Sequence, residues 1–381
     1  MHQVRGLILT PDGWWCGAVE HDGGRITGVQ GEPAGEDAWR DATQPVVLPG
    51  FIDLHVHGGG GADSMQADRG RAAIDTLART HARHGTSAML ATTMTAPHGE
   101  IEAALRALAP ACHERARSAA RVLGVHLEGP YISPDKLGAQ PAFAAAPSAA
   151  QILALHALAP IRVVTLAPEL FGALATTAAL VAAGLRVQIG HSAASYEAAC
   201  SALEHGARGF THLFNAMSAL HQRAPGVVGA ALAHAEHAEL IPDLLHVHPG
   251  AMRVALRAIP GLYCVTDATA AAAMPDGEYR LGRHAVSKCG AGVRLPDGTL
   301  AGSTLTMDQA LRNLVEALGL SLREASMRVS THAAQYLGLD DRGVLRPGAW
   351  ADMVLLDAQL RVRGVVVEGE AIDVADVADA A

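Results

Sequence analysis

PGFIDLHVHGGGG, at residues 49–61, is the stretch of this 381-residue chain that decides its fold. An apolar run over residues 46–51 leads into an alternating segment that ends in His55 and His57. Side chains repeat every two residues along an extended strand, so both imidazoles project from one face. Two imidazoles at a strand end that opens into a glycine loop are typical of a divalent-metal site. A pair of solvent-facing histidines in an ordinary loop is the alternative interpretation.

Downstream of this stretch the chain alternates strand-like and helix-like segments. Eight strand candidates follow one another at residues 51–57, 87–92, 122–127, 162–166, 186–189, 209–213, 240–247 and 262–266. Helical periodicity occupies intervening stretches at 69–84, 101–109, 150–158, 170–183 and 196–205. Alternating strand and helix units indicate a parallel sheet, and eight of them indicate a closed barrel. The predicted fold class is therefore α/β, with a (β/α)8 TIM-like barrel.

The two chain ends carry a different pattern, in which short apolar runs alternate with turn signals such as Pro11-Asp12-Gly13. Such spacing is typical of an antiparallel β unit. Neither end supplies enough strands for a stable sheet, so we expect the ends to pair in a small β-sandwich. The predicted domains are residues 1–48 and 343–381 for the sandwich and 49–342 for the barrel. We expect the polar, alanine-rich tail after Asp373 to fray.

Composition limits the classes of function. Half of the residues are hydrophobic, so a large buried core is possible, and the formal net charge of −9 disfavours nucleic acid or an anionic membrane as a partner. The five cysteines are scattered without a Cys-x-x-Cys pair, which predicts reduced thiols and a cytoplasmic location. The sequence has no apolar stretch that resembles a signal peptide or a membrane span, so we expect a soluble protein.

Residues with metal-binding or acid–base chemistry recur where the predicted strands end. Individually, each has a structural alternative: Glu128 could cap a helix, His191 could be a satisfied core histidine, and Asp267 could start a helix. In a barrel, however, all these ends meet on one face, where the active site lies. Together they predict one metal and acid–base site. The residues at these ends are His55, His57, Thr92, Thr93, Glu128, Pro168, Glu169, His191, His212, His246, His248 and Asp267.

Seven short motifs carry a resemblance to a known family. They are HLEGP (126–130), LAPE (166–169), GHS (190–192), THLFNAM (211–217), PG (225–226), VTDA (265–268) and LAGSTLTM (300–307). With these motifs the sequence resembles the N-acetylglucosamine-6-phosphate deacetylase family, a branch of the amidohydrolase superfamily, over essentially its whole length. The resemblance implies hydrolysis of the acetamide of N-acetyl-D-glucosamine 6-phosphate, which releases D-glucosamine 6-phosphate and acetate.

The resemblance also implies a metal site. It assigns Glu128, His191 and His212 as ligands of a divalent ion, which could be Zn, Fe, Mn or Co. His55 and His57 keep a second ion possible, with Glu128 as the bridging carboxylate. Asp267 must not be neutralised by the metal if it is to move protons, so we assign it as the acid–base catalyst and not as a primary ligand.

For the substrate, the resemblance implies a phosphate site and an acetyl pocket. Asn215 and Ala216 would offer backbone N–H groups, and Arg223 and His246 would supply charge; a solvated loop arginine is the alternative for Arg223. Because the equivalent arginine reaches across a dimer interface in some relatives, we expect a homodimer. Where some relatives have a histidine, this chain has Ala139-Gln140, and Gln140 could still donate a hydrogen bond. Residues Ala301, Gly302 and Ser303 would border the acetyl pocket.

Two other functions stay open at this point. A cyclic-amide hydrolase of the dihydroorotase or hydantoinase kind would share the barrel and the His-x-His, but would be favoured by a lysine on strand four, where this chain has Pro168-Glu169. A non-catalytic, metal-free scaffold would tolerate the loss of Glu128 or Asp267, and the chain has both.

Overall fold

The structure is a computed structural model that describes residues 2–374. The expectation that the tail after Asp373 frays falls on residues 374–381, of which 375–381 lie outside the described residues. The strands of the described part are β1 (His2–Thr10), β2 (Gly13–Asp22), β3 (Arg25–Ala34), β4 (Val46–Pro49), β5 (Phe51–Val56), β6 (Gly58–Gly59), β7 (Ala62–Asp63), β8 (Thr86–Thr92), β9 (Arg121–Glu128), β10 (Ile161–Leu166), β11 (Arg186–Ile189), β12 (Gly209–Phe210), β13 (Glu239–Leu240), β14 (Tyr263–Cys264), β15 (Gly277–Leu281), β16 (His284–Cys289), β17 (Gly292–Arg294), β18 (Leu300–Ser303), β19 (Met353–Leu356), β20 (Val362–Val367) and β21 (Glu370–Ile372).

The α-helices follow the predicted periodic segments closely and add several others. They are α1 (Arg71–Arg83), α2 (His98–His113), α3 (Ala149–His156), α4 (Ala173–Ala182), α5 (Tyr196–Glu204), α6 (Gly226–His234), α7 (Pro249–Ala258), α8 (Met307–Glu316), α9 (Leu322–Ser326) and α10 (His332–Leu337). Within residues 2–374, none of these helices combines the length and the apolar composition that crossing a bilayer requires. All five cysteines are free thiols.

A curled parallel sheet forms the centre of the molecule. Its six strands lie in the order β12-β11-β10-β9-β8-β5, and β13 pairs in parallel with β14. Single contacts connect these two sets: the N–H of Leu213 donates to the carbonyl of Glu239 at 2.9 Å, and Val56 bridges in parallel with Ala268. The parallel strands are therefore curled, and the segment that follows β14 lies beside the end of β5. This arrangement confirms the α/β class and the parallel strand order expected of a TIM-like fold.

Three of the predicted strands are shorter than expected. The segments predicted at 209–213, 240–247 and 262–266 reduce to the two-residue strands β12, β13 and β14. An extended strand cannot contain a positive φ angle, and His212 has one within the first of these segments and Leu244 within the second. Pro242 also follows β13 closely and has no N–H to donate to a neighbouring strand.

The chain ends pair with each other, as predicted. Strands from both ends form one seven-stranded sheet in the order β21-β20-β19-β4-β1-β2-β3. Its side chains alternate between two cores: Leu7 and Leu48 pack into the main core, whereas Ile8 and Val47 join a smaller separate cluster. The sheet continues into the parallel sheet through Gly50, where an added Cβ would lie 2.4 Å from the Ser87 hydroxyl. Only glycine fits this junction without displacing the neighbouring strand.

An antiparallel insertion that was not predicted lies between β14 and α8. Strands β15 to β18 form a four-stranded meander that adjoins the parallel sheet where Ala268 bridges with Ser303. Its residues cover part of the face on which the parallel strands end, and it therefore contributes to the site described next.

Candidate metal centre and adjoining cavity

The six residues predicted to bind metal or move protons converge at the carboxyl ends of the parallel strands. Glu128 ends β9 and His55 lies within β5, while the others come one to three residues after a strand end. Each of the six is at least nine-tenths buried, so water does not satisfy their polar groups. The full set is His55, His57, Glu128, His191, His212 and Asp267.

The first cluster contains Glu128, His191 and His212. The Nε2 atoms of the two histidines lie 3.0 Å apart, and each lies 3.1 Å from Oε1 of Glu128. Ligand atoms on a tetrahedral ion with bonds of ~2.0–2.2 Å are separated by about 3.3–3.6 Å, a few tenths of an ångström more than here. The three atoms therefore have nearly the spacing, and the chemistry, of a divalent-metal site.

The second cluster contains His55, His57 and Asp267. The Nε2 atoms of His55 and His57 are 3.1 Å apart, and Oδ1 of Asp267 lies 3.2 Å from His57 Nε2 and 3.5 Å from His55 Nε2. Glu128 connects the two clusters, because its Oε2 lies 3.2 Å from His57 Nε2 while its Oε1 belongs to the first cluster. This geometry permits two ions that share Glu128, and it brings Asp267 within reach of the second one.

The charges of the centre also fit cations. Three buried carboxylates, Glu128, Asp267 and Glu239, contact imidazoles, and among residues 2–374 no lysine or arginine forms an ion pair with them. Burial alone would raise the pKa of Glu128, but His55, His191 and His212 outweigh it and hold that pKa well below its usual range. Burial likewise opposes ionisation of Asp267, yet His55 and His57 lower its pKa to about 2. A buried, negatively charged cluster of this kind is stabilised by divalent ions.

Three of these residues have unusual backbone conformations. His191, His212 and Asp267 have φ angles of 46°, 31° and 50°, a region that costs a non-glycine residue roughly 1–3 kcal/mol. Neighbouring groups hold them there: the carbonyl of His191 accepts from Ser133 N–H at 2.8 Å, and that of Asp267 accepts from Ser303 N–H at 2.8 Å. The strained turns direct the side chains of these residues to the centre at the end of each strand.

A cavity of about 210 Å³ opens beside the metal centre. Six residues that were predicted to contact substrate line it: Ala139, Gln140, Asn215, Ala216, His246 and Gly302. Gly138 and Leu300, which adjoin residues predicted to contact substrate, also line it, as do Met94, Leu281 and Thr299, which were not predicted. A volume of this size suits a small, polar substrate whose reactive group reaches the metal centre.

His246 lies at one wall of this cavity and has a buried carboxylate partner. Its Nδ1 donates to Oδ2 of Asp243 at 2.6 Å, and Oδ1 of Asp243 accepts from the N–H groups of Leu245 and His246 at 2.9 Å. Burial would lower the pKa of His246, but Asp243 outweighs burial and raises it. The cationic form of this ring is therefore favoured, as an anion site requires.

Gln140 and Asn215 have internal partners in addition to their places in the wall. Gln140 accepts from Thr95 N–H at 2.7 Å through Oε1 and donates to Oε2 of Glu128 at 2.5 Å. It therefore orients a metal-ligand candidate as well as facing the cavity. The N–H of Asn215 donates to the carbonyl of His212 at 3.0 Å, so this N–H is already engaged within the turn.

Other predicted residues lie outside the cavity wall. Arg223 is exposed, and Ala301 and Ser303 are buried beneath the wall, where the hydroxyl of Ser303 donates to the carbonyl of Thr266 at 2.5 Å. His248, grouped with the strand ends, instead caps α7 by accepting from Gly250 N–H. Glu169 holds the loop after His191, because its carboxylate accepts from the Ser192 hydroxyl and the Ala193 N–H.

Comparison with known proteins adds independent findings. A model of the amidohydrolase family matches residues 46–372. The chain is 41% identical to the N-acetylgalactosamine-6-phosphate deacetylase of Escherichia coli O157:H7, over 95% of this chain and 97% of that protein. It is 39% identical to the N-acetylglucosamine-6-phosphate deacetylase of Lysinibacillus sphaericus, over 85% and 84%.

Among solved structures, the fold matches a mutant N-acetyl-D-glucosamine-6-phosphate deacetylase of Mycobacterium smegmatis in complex with N-acetyl-D-glucosamine-6-phosphate. The TM-score is 0.88, at 32% identity, over 97% of this chain and 98% of that one.

Proposed function

The chain belongs to the amidohydrolase family, and we propose that it hydrolyses the acetamide of N-acetyl-D-glucosamine 6-phosphate to D-glucosamine 6-phosphate and acetate. The observation that supports this most directly is the cavity of about 210 Å³, which has Glu128, His191, His212 and Asp267 at one side and His246 at another. A metal centre beside a cationic ring suits a substrate with an amide at one end and a phosphate at the other.

In the proposed metal centre, Glu128, His191 and His212 bind the primary ion and His55 and His57 bind a second one, with Glu128 shared. The ions would be Zn, Fe, Mn or Co. A divalent ion bound here would lower the pKa of water and polarise the amide carbonyl. Replacing His55 and His57 together with alanine should lower the number of ions per chain, measured by mass spectrometry. Replacing His248, which lies outside the cluster, is the matched control, and unchanged metal content in the double variant would leave a single-ion enzyme.

Asp267 is the proposed acid–base catalyst. Its carboxylate is charged and lines the cavity, so it can accept a proton from the attacking water and deliver it to the departing nitrogen. Delivery matters because an amine leaves poorly unless it is protonated. Gln140 keeps Glu128 oriented throughout, through its hydrogen bond to Oε2.

The proposed phosphate site combines His246, Arg223 and the turn at Asn215 and Ala216. His246 supplies a cationic ring held by Asp243. Arg223 is exposed and does not line the cavity of its own chain, so its proposed role requires a second copy of the chain in a homodimer. Ala139, Gln140, Ala301, Gly302 and Ser303 would shape the acetyl pocket, with Gly302 at its surface and Ser303 supporting Asp267 from behind.

N-acetyl-D-galactosamine 6-phosphate is the second candidate substrate. The relative from Escherichia coli O157:H7 is named for it and shares 41% identity with this chain. The two sugars differ only in the configuration of one hydroxyl, which the metal centre and the phosphate site would treat alike. The choice therefore depends on the cavity wall between those two sites.

We infer that the parallel strands close into an eight-stranded barrel over residues 49–342 and that residues 1–48 and 343–381 form a β-sandwich domain. The separate small core around Ile8 and Val47 supports the latter. We also propose a cytoplasmic location, supported by the free cysteines.

Release of acetate from purified protein tests the proposed activity. The substrates are N-acetyl-D-glucosamine 6-phosphate, its galactosamine isomer, unphosphorylated N-acetyl-D-glucosamine and a cyclic amide. We expect the phosphorylated amino sugars to be hydrolysed fastest, with activity lost on chelation and restored by divalent ions. Faster turnover of the cyclic amide would favour a dihydroorotase or hydantoinase type of enzyme, and inactivity on all four with full metal content would favour a non-catalytic barrel.

A further inference from the structure

Glu239 lies directly behind the metal centre and was not predicted as a site residue. It begins β13 and is fully buried. Its Oε2 accepts from Nδ1 of His55 at 3.0 Å and from the backbone N–H of His212 at 3.1 Å. A single carboxylate oxygen therefore contacts one residue from each of the two candidate ion sites.

The contact with His55 determines where the ring carries its proton. A neutral imidazole has one N–H, and an ionised carboxylate can only accept a hydrogen bond. The proton of His55 must therefore lie on Nδ1, which leaves the lone pair of Nε2 directed into the centre. That atom lies 3.1 Å from His57 Nε2 and 3.5 Å from Oδ1 of Asp267, as a metal ligand should.

No other ligand candidate in the described chain has its far ring nitrogen held by a carboxylate. Nδ1 of His191 faces the carbonyl of Lys136 at 2.8 Å, and the Nδ1 atoms of His57 and His212 are buried with no hydrogen-bond partner among residues 2–374. The second cluster therefore depends on His55 as its one ring with a fixed tautomer. Orientation of that ring depends in turn on Glu239.

A buried network holds Glu239 itself in place. The hydroxyl of Tyr263 donates to Oε1 of Glu239 at 3.4 Å, and Gln188 donates to that hydroxyl at 2.7 Å. Oε1 of Gln188 in turn accepts from the Thr211 hydroxyl, next to His212 in the chain. Such a network restricts the carboxylate to one orientation, because any rotation would leave buried polar groups unpaired.

We infer that Glu239 is a positioning residue that fixes the tautomer of His55 and couples the two ion sites through its contact with the His212 backbone. This inference rests on the proposed function only in assuming that the centre binds two divalent ions. Glu239 touches neither the substrate cavity nor the reacting atoms, so it acts entirely through His55 and His212.

The test is Glu239→Gln, which preserves shape but replaces an obligatory acceptor with an amide that can donate. Chelator-stripped protein is titrated with Zn²⁺ against a competing chelator. We expect one of the two ions to bind about 10- to 100-fold more weakly than in the wild type, the usual effect of removing a ligand's carboxylate partner. Glu239→Asp keeps the negative charge but shortens the side chain. Its Zn²⁺ affinity should lie between those of the wild type and Glu239→Gln.

Asp308→Asn is the matched control, because Asp308 is also buried and pairs with an imidazole, His84, but contacts none of the six site residues. It should leave Zn²⁺ binding unchanged. Wild-type affinity in Glu239→Gln would overturn the inference, and so would an equal loss in Asp308→Asn. An inactive wild type that still shows this pattern would refute the deacetylase proposal and leave the inference standing.

A second measurement needs no variant and decides the matter if Glu239→Gln does not fold. Nitrogen-15 NMR of the Zn²⁺-loaded wild type, in which a ligand imidazole is neutral, reports which ring nitrogen of each histidine carries the proton. We expect His55 to carry its proton on Nδ1. A proton on Nε2 would overturn the inference.

Discussion

Strand β9 begins at Arg121 and ends at Glu128, and these two residues belong to opposite kinds of charge cluster. At the start, Arg121 donates to both oxygens of Glu368 at 2.8 and 2.7 Å, and Arg115 and Arg342 contact the same carboxylate. At the end, Glu128 meets imidazoles and the amide of Gln140. Each carboxylate of the first cluster has a guanidinium partner, and no carboxylate of the second has one in the described chain.

The difference between the two ends shows which cluster needs an external ion. Burial would raise the pKa of Glu368, but Arg121 and Arg342 outweigh it and lower the pKa to about 2, so that cluster is complete once the chain folds. Among residues 2–374, the carboxylates around Glu128 have only imidazoles as cationic partners. In folds of this kind the strand ends carry chemistry and the strand starts carry stability.

Replacing Asp267 with asparagine should abolish proton transfer while keeping volume and some hydrogen bonding. We expect kcat for the proposed substrate to fall by ~10²- to 10⁴-fold, or about 2.7–5.5 kcal/mol in transition-state energy. Substrate should still bind, because His246 and Glu128 lie on other elements. Steady-state kinetics and equilibrium binding measure the two effects separately.

Metal content of the Asp267→Asn protein separates the two roles open to this side chain. Its Oδ1 lies close enough to His57 for either role, at 3.2 Å from Nε2. Turnover like that of the wild type would refute the acid–base assignment. Loss of metal together with activity would instead make Asp267 a ligand.

At the start of β9, Glu368→Gln should lower the free energy of unfolding and leave catalysis unchanged. The substitution leaves Arg121 and Arg342 without their shared carboxylate, and breaking a buried ion pair costs roughly 3 kcal/mol. The side chain is only 9% exposed, so water compensates little. Urea unfolding measures the loss, and kcat/KM is the control; a large kinetic effect would contradict the division between the two ends.

The ion pairs of Glu368 with Arg121 and Arg342 also predict how the stability of the protein depends on pH. Because the pKa of Glu368 is about 2 in the folded protein and near 4.5 when unfolded, its contribution is complete above about pH 4.5 and disappears as the pH falls through 2. The difference in melting temperature between wild type and Glu368→Gln should therefore be constant from about pH 7 to 5 and shrink below it. A difference that grew on acidification would refute the ion-pair account.

The catalytic end was easier to predict from sequence than its supporting residues. A period of two along the first strand and the regular alternation of strands and helices bring His55, His57, Glu128, His191, His212 and Asp267 to one face. Glu239 was not predicted as a site residue because the seventh strand was expected to begin at residue 240 and to run to 247. In a strand of that length, a residue at the start would lie far from the site, whereas β13 has only two residues and its start is also its end.

The rest of the cavity wall depends on loops and insertions that have no local periodic signal. Leu281 and Leu300 reach the cavity from the antiparallel meander β15 to β18, whose position depends on contacts with distant segments. The contact between Gln140 and Glu128 likewise arises from a loop. Sequence can indicate the residue types available in such segments, but the packing of the complete chain determines where they lie.

Replacing His246 with alanine should have a smaller effect than the changes at Asp267 and Glu368. A lost charge-assisted hydrogen bond to phosphate costs roughly 1.5–3 kcal/mol, so kcat/KM should fall about 10- to 150-fold for the phosphorylated substrate. The unphosphorylated sugar should be affected much less, which makes it the internal control. Arg223→Ala should behave in the same way if the homodimer proposal is right, and equal losses on both sugars would indicate a collapsed loop.

The smallest effect should come from Asp341→Asn, which tests whether pairing or burial gives the Glu368 cluster its strength. Asp341 accepts from Arg25 at 2.7 Å and links β3 to the segment before β19, as Glu368 links the last strands to β9. The side chains of Arg25 and Asp341, however, are 38% and 44% exposed. Arg25 also keeps its position over the Trp350 ring, 3.8 Å from the ring centroid, and its hydrogen bond to the carbonyl of Gly348. Exposed pairs contribute about 0.2–1 kcal/mol, so the urea midpoint should move far less than in Glu368→Gln, and less still in high salt. An equal loss in the two variants would show that pairing alone, without burial, sets the stability of this end of the molecule.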